Sequence, residues 1–103
     1  MMNYVVQNLQ SNGALVKPVA LDEWNIFAIN SYQQVSHING MHAVLLLGEA
    51  IKHKYGMTAR WDMLNSWDNG NDHGIYSDGN EPGIAKWTPR PAFYHMYFFE
   101  KLL

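Results

Sequence analysis

The period of the hydrophobic positions changes along this chain, and the changes mark its elements. Met2, Val5, Val6 and Leu9 recur at helical spacing, so Met2 to Gln10 reads as the end of a helix that Asn12-Gly13 stops. Pro18-Val19-Ala20-Leu21 is a short, uninterrupted apolar run, the pattern of a parallel strand buried on both faces. A polar stretch, Asp22-Glu23-Trp24-Asn25, begins abruptly at its carboxyl end. Ile38, Met41, Leu45, Gly48, Ile51 and Tyr55 then form one apolar stripe at steps of three and four, which predicts a core-facing helix from about Val35 to Tyr55. Ser36 is placed to cap its start and Gly56 to end it in a left-handed conformation. Lys52, His53 and Lys54 fall in the last turn, where positive charge complements the helix dipole.

From Thr58 or Ala59 to about Ser66, Trp61, Met63, Asn65 and Trp67 alternate with Asp62, Leu64 and Ser66, which predicts a second strand. A loop dense in Gly, Asn and Asp follows from Asp68 to Gly83, of a length that implies either a function or some structure of its own. Within it Ile75 and Tyr76 read as one strand of a hairpin closed near Ser77-Asp78-Gly79. Pro91 opens a final helix that runs to Leu103. The order describes an α/β chain with a βαβα unit and a parallel strand pair. Two strands and their helices do not cover both faces of a sheet. The 103 residues therefore read as one partial domain, to be completed by further chain, self-association or a complementing polypeptide.

Composition narrows the function classes. Hydrophobic residues make up 48% of the chain, which argues against disorder, and the 14% aromatic content suits either core packing or the apolar faces of sugars. The net charge is −2 and the seven Lys and Arg residues are scattered, so no nucleic-acid partner is expected. The longest apolar run, Ala43 to Leu47, is too short to span a bilayer, so no membrane partner is expected either. Met1-Met2-Asn3-Tyr4 lacks the pattern of a signal peptide, although a secreted or periplasmic parent protein stays compatible with the sequence. There is no cysteine, the histidines show no close pair suited to zinc, and the Asp68–Asn80 region lacks calcium-loop spacing. Neither a metal nor a cofactor is expected.

Catalytic groups of α/β folds collect at the carboxyl ends of parallel strands, where Asp22-Glu23-Trp24-Asn25 and Asn65-Ser66-Trp67-Asp68-Asn69 both fall. Side chains alternate along a strand, so Glu23 and Asn25 share a face and Asp22 does not. Position alone leaves Glu23 as either a solvated strand-end carboxylate or a catalytic one. Trp67 is likewise either a sugar platform or a loop-anchoring indole.

Leu21-Asp22-Glu23-Trp24-Asn25, preceded by Lys17-Pro18-Val19, resembles the seventh-strand segment of clan A retaining glycoside hydrolases, above all the α-L-arabinofuranosidases. The likeness extends over nearly the whole chain. Val35 to Tyr55 matches helix seven, Trp61 to Trp67 strand eight, and Pro89-Arg90-Pro91-Ala92-Phe93-Tyr94 the start of the last helix. The resemblance implies about the last two βα units of a (β/α)8 TIM barrel. It also implies a carbohydrate substrate and Glu23 as the nucleophile, with Asn25, Asn65, Trp67 and His73 as substrate-binding candidates. A retaining mechanism needs a second carboxyl group roughly 5 Å from the first. Glu49, Glu81 and Glu100 fall in a helix, a loop and the terminal helix, so the acid/base is missing. The chain alone reads either as half of such a site or as a noncatalytic carbohydrate-binding or assembly module.

Overall fold

A computed structural model describes all residues from 1 to 103. The chain opens with helix α1 (Met2–Ser11), which Asn12 and a left-handed Gly13 (φ 70°) terminate. Strand β1 (Ala20–Trp24) follows, then a 3-10 turn (Tyr32–Val35) and helix α2 (His37–Lys52). Strand β2 (Met57–Arg60) lies parallel to β1, so β1-α2-β2 is a crossover unit. Two short strands, β3 (Leu64–Asn65) and β4 (Tyr76–Ser77), form a separate parallel pair ahead of helix α3 (Pro91–Leu102).

Ser36 caps α2 by accepting from the Ile38 amide at 3.2 Å, and Pro91 occupies the first turn of α3. Other expectations give way. The strand after α2 ends at Arg60 rather than near Ser66. Beyond it the backbone pairs with the loop instead, Ile75 N donating to Asp62 O at 3.1 Å and Tyr76 N to Met63 O at 3.1 Å. Tyr76 is in a strand as the pattern predicts: it pairs with Leu64 in parallel on one side and bridges Pro89 antiparallel on the other, so the returning arm is residues 87–90, beyond a longer loop than a turn at Ser77-Asp78-Gly79. Lys54, at φ 56°, takes the left-handed position after α2. Gly56 answers a different need, since a Cβ there would lie 2.7 Å from Pro18 Cβ.

The apolar stripe of α2 faces away from the sheet. Ile38, Met41, Leu45 and Ile51 are all exposed, while the buried positions are Asn39, Gly40, Ala43 and Ala50. Close approach explains the inversion. A Cβ on Gly40 would lie 2.6 Å from His95 Cγ, so α3 can nest against α2 only where the side chain is missing. Small residues mark the packed face here, and large ones the open face.

The interior is correspondingly thin. Trp24, Ala43, Ala50 and Ala92 are the buried apolar residues, and the buried polar ones are Gln34, Asn39, Asp72, Ser77 and Arg90. Ala20 is exposed at the start of β1, so this strand is not covered on both faces. The accessible surface is 6962 Å², against about 5,900 Å² for a compact monomer of this mass. The radius of gyration is 16.2 Å, against about 13 Å for a compact chain of this length. Both strands of the β1–β2 sheet are edges. Surface that a closed domain would bury therefore stays open.

Candidate functional site at the carboxyl ends of the parallel strands

Leu21 pairs with Thr58 and Trp24 with Arg60, so three steps along β1 match two along β2. The extra residue is a bulge at Asp22-Glu23, a device that re-aims side chains at a strand end. It places Glu23, exposed, on the wall of an open cleft of about 300 Å³ shared with Asn25, Phe27, Trp61 and His73. Asp22 stays outside the cleft. The Trp24 indole turns into the helix layer, 6.2 Å from the His42 ring.

Asn25 holds the site together. Its Nδ2 donates to the backbone carbonyl of Trp61 and, at 3.1 Å, to that of His73, while its Oδ1 accepts from Ile26 N at 2.8 Å. Both amide hydrogens are engaged within the protein, so Asn25 lines the cleft as a tie between three segments. The β1 and β2 ends are joined again where Trp61 N donates to Trp24 O at 2.9 Å. The loop after β1 is anchored by Gln34, which donates to Ile26 O at 2.8 Å, and by Asn39, which donates to Gln34 O at 2.6 Å. That chain of bonds explains two buried amides. They connect the cleft wall to α2.

Trp61 leaves β2 at its carboxyl end, 47% exposed, and forms the aromatic wall beside Glu23. His73 faces Phe27 in a stacked pair with ring centroids 6.1 Å apart. Two other candidates lie elsewhere. The Trp67 ring packs 6.0 Å from Tyr32 with the Arg90 guanidinium 5.7 Å above it, which makes it a loop anchor. Asn65 pairs with Ser77 in the small sheet and does not line the cleft. The alternation over residues 58–66 runs on past Arg60, where β2 ends, and so does not mark Trp61 as a strand-end residue.

The acidic loop is tied to the base of α3. Arg90 donates from Nη2 to Asp72 Oδ2 and from Nη1 to Glu81 Oε2, each at 2.6 Å, and Asp72 Oδ1 accepts from Gly74 N at 2.7 Å. Asp72 adjoins His73, so this clamp also holds one wall of the cleft. Glu49 pairs with Lys52 and His53, and Glu100 with Lys101. No group of three or more His, Cys, Asp or Glu converges as a metal site would require. Glu23 is the one carboxylate lining the cleft. One close histidine pair does occur across the fold: His37 Nδ1 and His95 Nε2 are 3.0 Å apart between α2 and α3. Their separation of 58 residues gave no local signal.

Burial shapes the titrating groups behind Trp61. It pushes the Arg60 guanidinium down to about 10, opposed by Asp62 and Asp72, and raises the Asp62 carboxyl. Burial, with help from Arg60, also holds His42 below its ordinary 6.5. The folded chain thus favours neutral His42. As pH falls below about 6.5 the unfolded chain takes up a proton that the folded chain resists, and stability declines. Thermal melts from pH 7 to pH 5 should show that decline, and His42→Gln should reduce it. An equal decline in both proteins would exclude His42 as its source.

Compared with family models, curated proteins and solved structures, the chain matches none. No helix is long and apolar enough to cross a membrane.

Proposed function

We propose that this chain supplies the nucleophile half of a retaining glycosidase site, as part of a (β/α)8-type catalytic domain acting on arabinofuranosides of plant-type polysaccharides. The observation that carries the reading is the juxtaposition of Glu23 and Trp61 in one cleft, at the carboxyl ends of adjacent parallel strands. A carboxylate beside an aromatic face fits a pyranose or furanose ring, which offers apolar C–H surface on one side and an electrophilic anomeric carbon on its edge. Glu23 would attack that carbon and expel the leaving group, forming a covalent glycosyl ester. Water would then cleave the ester. Both steps in the usual route need a second carboxyl group, first as acid and then as base.

The single carboxylate in the cleft favours a second reading for the chain by itself, carbohydrate binding without hydrolysis of ordinary glycosides. The two readings share one sugar site. Titration of tryptophan fluorescence with arabinose- and xylose-containing oligosaccharides tests that site directly. Trp61→Ala should weaken binding about tenfold, equivalent to ~1.4 kcal/mol, whereas folded Trp67→Ala should retain it. The reverse order of effects would place the sugar on the Tyr32–Trp67–Arg90 side instead.

A further inference from the structure

Helices α2 and α3 lie side by side, with a groove running from His37 and His95 past Val44 to Leu102. The surface they turn to solvent is apolar, which is unusual for the outward face of a helical layer. On α2 it carries Ile38, Met41 and Leu45, the last 70% exposed. On α3 it carries Tyr94, Phe98 and Leu102, the last two 62% and 85% exposed. The nearest charges on these helices gather toward their carboxyl ends, where Glu49 pairs with Lys52 and Glu100 with Lys101.

We propose that this face is a self-association surface, on which α2 and α3 pack against the same two helices of a second copy of the chain. At about 100 Å² for each large side chain, the patch exposes roughly 600 Å². That reaches the upper range found on monomers and approaches the ~800 Å² per partner of a standard interface. A two-fold interface sets a patch against itself, and an apolar patch with no charge at its centre meets its copy without repulsion. The face lies across α2 from the buried Asn39, Ala43 and Ala50, so it leaves the edges of β1 and β2 free. The inference is therefore independent of the sugar site.

Sedimentation equilibrium on the full chain, from about 1 to 100 µM, tests it. The expected species is twice the 11.8 kDa chain mass. Leu45→Glu and Phe98→Glu should each raise the dissociation constant at least about 100-fold while helical circular dichroism is unchanged. Met57→Lys, at the exposed edge of β2, should leave the dimer intact. A monomer throughout the range would overturn the proposal and assign the face to a different occupant. So would a dimer that Met57→Lys dissociates and Leu45→Glu does not.

Discussion

Arg90→Met should destabilise the chain by about 3–5 kcal/mol, the largest stability effect expected of any single substitution here. Arg90 is 6% exposed and Asp72 fully buried, so solvent screens their 2.6 Å pair little. Removing the guanidinium leaves the Asp72 carboxylate buried with only the Gly74 amide as partner, and releases Glu81 as well. An uncompensated buried charge is costly, and a domain's whole stability is only about 5–15 kcal/mol. Adding Asp72→Asn to Arg90→Met should recover part of the loss, because the stranded charge is then gone. Urea unfolding of the two variants measures both effects. A loss below about 1 kcal/mol would mean that the clamp behaves as a surface pair. The consequence reaches the cleft, since Asp72 positions the loop that presents His73 beside Glu23.

The largest functional effect is expected at Glu23. A glycosyl donor with a strongly activated leaving group, such as a dinitrophenyl arabinofuranoside, departs without protonation and so bypasses the missing acid. The chain should therefore be glycosylated by such a donor while leaving unactivated oligosaccharides intact. Azide should speed release of the sugar, because it attacks the glycosyl ester without needing a general base. Glu23→Gln should slow glycosylation by at least about 10³-fold, since the amide cannot act as the nucleophile. Asp22→Asn should change it little, because Asp22 lies outside the cleft. Equal rates for Glu23→Gln and the parent chain would remove Glu23 from the chemistry.

Much of this architecture is written in local pattern, and the departures share a cause. Helices α1 and α3, the Ser36 cap, the parallel β1–β2 pair and the abrupt polar end of β1 follow from periodicity and capping chemistry. Glu23, Asn25 and His73 do come together, yet Asn25 works as a tie whose partners are 36 and 48 residues away. No local pattern reports such distances. Alternation from Trp61 to Trp67 looks like a strand, whereas hydrogen bonds to the loop end β2 at Arg60. The α2 stripe is not core for a related reason. Periodicity finds an apolar face but not its neighbour, and here Gly40 and Ala43 meet the packed layer while Leu45 faces out. Likewise Trp67 has the chemistry of a platform, but Arg90 and Tyr32 occupy its surroundings.

Glu23 is proposed to be the group that forms a bond to sugar, in a cleft where it is the one carboxylate. Peptide mapping by mass spectrometry after reaction with the activated donor tests this most directly. The predicted result is a single glycosyl unit on the peptide containing Glu23, attached as an ester at that residue and absent from Glu23→Gln. A glycosyl unit at Asp22 or on another residue, or no adduct on the chain at all, would contradict it.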